Sequence, residues 1–385
     1  MPVFQPDKVF GIVRRAKAFF KRSDDDGARG SAPAAERQRE RAGDRERARR
    51  LTSERKKKLR SEIKSKKREL SPIRKEYRAA TDPLKKREHK LRKKSIKQDI
   101  FQLERKLRAA KEGREIEPET GALPDFVIIG AQKGGTTFLY QLLSQHPLVE
   151  PAASKELHFF DNLFDLGTEW YRRCFPQPKW KNGQRVITGE GTPYYLSHPH
   201  AARRTAEVVP QARLIALLRN PVDRAYSHYQ MGVRRGYEHL KFEEAIEAEE
   251  ARLQGERDRM LEDERYDSFE HQRFSYLSRG IYVDQLVRWS GFFSKEQMLV
   301  LQSEEFFEHP QAILKVVLTF LDLPHWEPED LEPRGEHDKD KYKRIKRNKG
   351  EYADAMDPAT RRCLEEYFEP HNKRLYDYLG IDFGW

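Results

Sequence analysis

Five consecutive residues, Lys133, Gly134, Gly135, Thr136 and Thr137, are of the types that grip an anion. Glycines let a backbone approach a charged oxygen closely, lysine adds a cation, and threonine hydroxyls add donors. Their setting supports the reading. Phe126 to Ile129 is a short apolar, β-branched run, the pattern of a buried parallel strand. Phe138, Leu139, Leu142 and Leu143 then recur at helical spacing. Strand, glycine loop and helix in that order turn backbone N–H groups toward one point at a helix N-terminus, where phosphate or sulfate binds. The natural comparison is the triphosphatase loop G-x-x-x-x-G-K-S/T, and the run departs from it. Lys133 precedes the glycine pair, and no Ser or Thr stands beside a loop lysine to hold magnesium. The expected ligand is an anion other than a magnesium-bound triphosphate; a purely structural turn is the alternative.

Elements able to position such a loop follow in order. Val186 to Glu190 predicts a second strand, Leu214 to Leu218 a third, and Met298 to Leu301 a fourth. Helices are predicted at 222–233, 310–321 and 358–379. Residues 241–273 read as a long charged helical region over the body, and 333–352 as a basic loop. Strands alternating with helices argue for an α/β fold, a central parallel sheet with helices on both faces.

Charge divides the chain unevenly. The net charge of +12 is made of +19 over residues 1–120 and −7 over the remainder. Residues 7–22 read as a basic amphipathic helix, suited either to an anionic membrane surface or to packing on protein. Residues 23–48 read as a disordered linker. From Leu51 to Ala110, Leu59, Ile63, Leu70, Ile73 and Tyr77 form one apolar stripe and Leu84 to Leu107 a second, with Pro72 and Pro83 as interruptions. That rhythm predicts a helical hairpin or short coiled coil with a break at 79–83. Its basic flanks suit a tether to a polyanion or acidic lipid; a solvated charged helix is the other reading. The run 112–119 reads as a linker. The expected domains are therefore an extension over 1–121, dispensable for chemistry, and a main domain over 122–385. Two cysteines, Cys174 and Cys363, read as free thiols of a reducing compartment. No apolar run is long enough to span a membrane and no signal peptide is evident, so the expected location is cytoplasmic, free or membrane-peripheral.

Three segments then carry a resemblance. Lys133 to Thr137, the Lys-Glu-x-His-Phe-Phe of residues 155–160, and the Arg-Asn-Pro-x-x-Arg-x-x-Ser-x-Tyr beginning at Arg219 resemble, in order, the sulfotransferases that use 3′-phosphoadenosine 5′-phosphosulfate (PAPS). The resemblance is to the carbohydrate branch, the heparan-sulfate-type N- and 3-O-sulfotransferases and their bacterial relatives, and spans Pro124 to the C-terminus. It implies a P-loop-like three-layer α/β fold, PAPS as donor, no metal, and a carbohydrate acceptor. By position, Lys133, Gly134, Gly135, Thr136 and Thr137 match the 5′-phosphosulfate loop. Arg219 and Ser227 match the 3′-phosphate pair, a guanidinium fork and a hydroxyl just past a strand. Lys349 and Gly350 match a late loop that closes over the donor. Glu156 matches the catalytic base, a carboxylate that serves if its pKa is raised. Lys133 matches a cation at the leaving phosphate. His158, on the same side as Glu156 if the segment is extended, either assists or orients it. Bland alternatives are a helix-capping Arg219, a surface Glu156 and a core His158. One departure stands out: Glu190-Gly191-Thr192-Pro193 has glycine where the 3-O-type members carry a substrate-side lysine. A P-loop kinase or triphosphatase and a non-catalytic polyanion-binding coiled-coil protein are the rival readings.

Overall fold

Strand β1 (Phe126–Gly130) is fully buried and alternates between two cores. Val127 and Ile129 face one with Leu286 and Trp289; Phe126 and Ile128 face the other with Leu139, Leu142 and Leu143. Burial of each such aliphatic side chain contributes about 1.5–3 kcal/mol, which is why the strand lies at the centre. The structure is a computed structural model describing residues 34–80, 83–111, 121–328 and 356–385.

Around β1 stand β2 (Val149–Pro151), β4 (Gln184–Gly191), β5 (Arg213–Leu218) and β6 (Met298–Gln302), in the order β2-β4-β1-β5-β6 and all parallel. A short β3 (Lys179–Lys181) pairs antiparallel with β4. Ile128 is in register with Gly191 on one side and Ile215 on the other. The carboxyl ends of the three central strands therefore point the same way, staggered by a few residues, and whatever follows them shares one edge. The helices that matter for that edge are α3 (Thr136–Leu143), α4 (Phe159–Asn162), α5 (Ala201–Val208), α6 (Pro221–Arg235), α7 (Tyr282–Ser290), α8 (Pro310–Phe320) and α9 (Pro358–Leu379). The α/β expectation with helices on both faces is met. The helical region 241–273 consists of four short helices, and Gly255 at φ 71° separates the second from the third.

Ahead of the sheet stand two long helices, α1 (Ala34–Ala79) and α2 (Pro83–Lys111). The hairpin break falls where expected, with Pro83 opening α2, where its missing N–H costs nothing. Two expectations are corrected. Residues 34–48, read as linker, begin α1: Ala, Glu and Arg are strong helix formers even without an apolar stripe. Pro72, read as an interruption, lies inside the helix. The predicted stripe is the seam, in which Ile63, Leu70 and Ile73 pack with Ile96 and Ile100.

The chain divides into two compact units at Lys58/Leu59, so the second unit begins within α1, ahead of residue 121. Within that unit α2 docks on the sheet domain. Lys90 Nζ pairs with Asp267 Oδ2 at 2.8 Å, Gln98 Nε2 donates to the Trp170 carbonyl at 2.7 Å, and Gln102 donates to the Arg173 carbonyl. Both glutamines are buried. The sequence shows two basic helices, and the side chains that bind them to the domain are polar ones within them. No described helix is long and apolar enough to cross a membrane. The predicted helix at 7–22 and the segments 112–119 and 333–352 lie outside the described residues or largely so.

Candidate active site

The loop after β1 is shaped by backbone geometry. Gly134 lies so close to β5 that a Cβ on it would come within 2.2 Å of the Leu217 carbonyl oxygen, so no other residue fits. Gly135, at φ 94°, begins α3 with no side-chain cap. The N–H groups of Lys133, Gly135, Thr136 and Thr137 make no backbone hydrogen bond among the described residues. An uncapped helix start with free donors has the partial positive charge that holds an anion.

Charge at this loop points the same way. Arg219 directly follows β5, and its Nη1 donates to the Lys133 carbonyl at 3.4 Å. Asn220 caps α6 by accepting from the N–H groups of Val222 and Asp223, and Tyr282 Oη donates to the Arg219 carbonyl at 2.7 Å, so the arginine leaves a fixed backbone. Burial, then the charges of Arg234, Arg219, Arg235 and Arg224, lower Lys133 to about 8. Arg224 is fully buried; its Nη2 donates to the Tyr276 carbonyl, while Nε and Nη1 have no partner among the described residues. Both ring nitrogens of buried His228 are likewise unpartnered. Cations gathered in this way, with donors left open, are costly unless an anion joins them. Ser227 lies two turns into α6 and is buried. Lys349 and Gly350 lie outside the described residues.

The second half of the site follows β2. Glu156 and His158 both take left-handed backbone, φ 62° and 59°, so the segment is not extended and the alternation of an extended strand does not apply. The two side chains still meet: His158 Nε2 lies 3.9 Å from Glu156 Oε2. On its other side His158 Nδ1 lies 2.6 Å from Asp161 Oδ2, a buried carboxylate that orients the ring. Asp161 was not singled out in the sequence, though its spacing of three from His158 at a helix start was the available signal. Of the five described non-glycine residues at positive φ, three are Lys133, Glu156 and His158. Such conformations cost about 1–3 kcal/mol each and collect at functional sites.

Glu190 ties the segment to the sheet. It is fully buried on β4 and accepts from Tyr171 Oη at 2.7 Å, Tyr195 Oη at 2.9 Å and Thr192 Oγ1 at 2.7 Å. Tyr195 Oη in turn accepts from the Phe159 N–H at 2.8 Å, and Thr192 Oγ1 from the His158 N–H at 3.4 Å. Glu156 N–H donates to the Gly191 carbonyl at 3.1 Å. The acidic segment therefore hangs from the end of β4, while the glycine loop leaves the end of β1 beside it.

The pKa of Glu156 differs from the expectation. Burial pushes it up, but Lys155, whose Nζ donates to Oε1 at 2.9 Å, together with His158 and Lys94, more than offsets this, and the carboxyl lies below its ordinary value. A half-exposed carboxylate among cations is ionised and able to accept a proton.

Comparison with known proteins identifies the family of the chain. Residues 123–374 match the sulfotransferase domain family. The membrane-associated sulfotransferase kil1 of Dictyostelium discoideum is 27% identical, over 70% of this chain and 68% of its own length. The bifunctional heparan sulfate N-deacetylase/N-sulfotransferase 1 of Caenorhabditis elegans is 31% identical, over 67% of this chain; the match spans only 30% of that longer protein. A sulfotransferase structure from Alicyclobacillus acidocaldarius superposes with a TM-score of 0.52 at 28% identity, covering 68% of this chain and 98% of its own.

Proposed function

We infer the reaction from a premise that the match over residues 123–374 establishes: the chain belongs to the sulfotransferase family, and it is a transferase of sulfuryl groups. The proposed donor is PAPS and the proposed acceptor a hydroxyl or amine of a carbohydrate, as the heparan sulfate named for the C. elegans relative suggests. The observation that carries this reading is the placement of two unlike groups on one sheet edge, a cluster of cations with open donors after β1 and β5 and an ionised carboxylate with its histidine after β2.

Lys133 and the N–H groups of Gly135, Thr136 and Thr137 are assigned to the 5′-phosphosulfate, and Arg219 with Ser227 to the 3′-phosphate; the assignment of Lys349 and Gly350 to the donor rests on the sequence resemblance alone. When bound, the donor supplies an activated sulfuryl group, and the by-product is adenosine 3′,5′-bisphosphate. Glu156 takes the proton from the acceptor oxygen or nitrogen as its bond to sulfur forms. His158, held by Asp161, steadies that carboxylate. Lys133 places positive charge where negative charge gathers in the transition state. No step in this scheme needs a metal. The basic excess of residues 1–120 supports attachment to an anionic surface, which flotation with anionic but not zwitterionic vesicles would show.

The test is incubation of the full chain with radiolabelled PAPS and N-desulfated heparan sulfate in the presence of EDTA. Label in the polysaccharide is expected. Absence of transfer, with magnesium-dependent ATP hydrolysis instead, would return the chain to the kinase or triphosphatase reading.

A further inference from the structure

Lys94 lies outside the matched residues 123–374, on α2, yet it reaches Glu156. It is 8% exposed, and its Nζ donates to the Glu156 carbonyl. Glu156 stands at φ 62°, a conformation that a side-chain-bearing residue keeps only when its surroundings hold it. Its N–H is held by the Gly191 carbonyl and its C=O by Lys94. The lysine cannot easily shift, because Lys90, Gln98 and Gln102 fasten α2 before and after it. Burying an ammonium group is expensive, so its retention here calls for a reason.

We propose that Lys94 is a positioning residue for sulfuryl transfer: from outside the family domain it clamps the Glu156 backbone in the left-handed turn that aims the carboxylate at the acceptor. The proposal rests on Glu156 being the base. Position 191 on β4 has no side chain to offer a cation, and α2 brings one to the base from elsewhere. Four basic side chains face Glu156: Lys155 and the His158 imidazole on its own segment, and Lys94 and Lys97 on α2. Lys94 itself faces Glu190 and Asp161 as well as Lys97 and Lys90, and burial brings it down to about 8, so it is charged at neutral pH. Removing that charge raises the Glu156 pKa, and the acid limb of turnover moves to higher pH.

The experiment compares the full chain with Lys94→Met, Lys94→Arg and Gln98→Ala, the last loosening α2 without touching Glu156. With radiolabelled PAPS and N-desulfated heparan sulfate, Lys94→Met should lose about ten- to a hundredfold in kcat, the cost of a misplaced catalytic group. KM for PAPS and affinity for adenosine 3′,5′-bisphosphate should stay within roughly twofold. The acid limb should move up, Lys94→Arg should restore part of kcat, Gln98→Ala should leave the limb in place, and amide exchange over 154–160 should quicken only in Lys94→Met. An unchanged limb and kcat in Lys94→Met overturn the proposal. So does bisphosphate affinity lost in step with kcat, which would make Lys94 a general strut. If the wild type transfers nothing, the functional reading fails instead, and the exchange comparison still decides whether Lys94 clamps the turn.

Discussion

The loop after β1 and the segment after β2 leave the same edge of the sheet and are held in different ways. The loop is shaped mainly by backbone: Gly134 packs on the Leu217 carbonyl and Gly135 opens α3, Ser303 Oγ and Arg219 add hydrogen bonds to the carbonyls of Gly134 and Lys133, and N–H groups of the loop are left open to a ligand. The segment is held by side chains from far along the chain, namely Tyr195 and Thr192 through Glu190, and Lys94. A donor shared by many acceptors suits a preformed backbone cradle. A base must be aimed at one acceptor atom, and aiming takes side chains that can change with the acceptor. Donor binding and proton removal should therefore fail separately.

The largest effect should come from Glu156→Gln, which keeps size and most hydrogen bonding but accepts no proton. Turnover should fall by roughly 10²–10⁴ while bisphosphate affinity hardly moves. Wild-type turnover under conditions where chemistry limits the rate would pass the base role to His158. Next, Arg219→Ala removes a charged donor from the 3′-phosphate and should weaken bisphosphate binding by about 2–4 kcal/mol. Calorimetry showing full affinity would break the assignment of the donor half.

Asp161→Asn sharpens the other half. It weakens a hydrogen bond of a charged group, worth about 1.5–3 kcal/mol, so turnover should drop roughly 10- to 100-fold with donor KM unchanged. A raised donor KM would show that the halves are not separate. The smallest effect is on pH. Lys133 is lowered to about 8 in the free protein, and an anion beside it raises it. Below about 8 the lysine is already charged and affinity for the bisphosphate is greatest; above it, affinity should fall by up to about tenfold per pH unit, with proton uptake on binding. Titrations in buffers of different ionisation enthalpy would measure that uptake.

How much of this the sequence shows follows from the same contrast. Strands β1, β4, β5 and β6 are apolar runs with internal signatures, and the glycine loop is contiguous, so each is legible where it stands. Strands β2 and β3, three residues each with Glu150 or two lysines, exist only because β4 offers an edge, and nothing local announces them. The left-handed turns at Glu156 and His158 were hidden for the same reason: non-glycine residues adopt them under restraint from Thr192, Gly191 and Lys94, all distant in sequence. The direction of the Glu156 shift depends on Lys94 too, which the hairpin pattern shows only as one basic residue among many. Arg224 and His228, buried beside the donor loop, look in the sequence like the polar face of a surface helix.

The cations after β1 and β5 should form a metal-independent site for a 3′-phosphorylated nucleotide. Calorimetry on the full chain in EDTA tests it most directly, with adenosine 3′,5′-bisphosphate set against adenosine 5′-monophosphate. The bisphosphate should bind at least about tenfold more tightly, a gap of about 1.4 kcal/mol or more, and Arg219→Ala should erase the difference. Equal affinities in the wild type, or binding that appears only when magnesium is added, would contradict the claim.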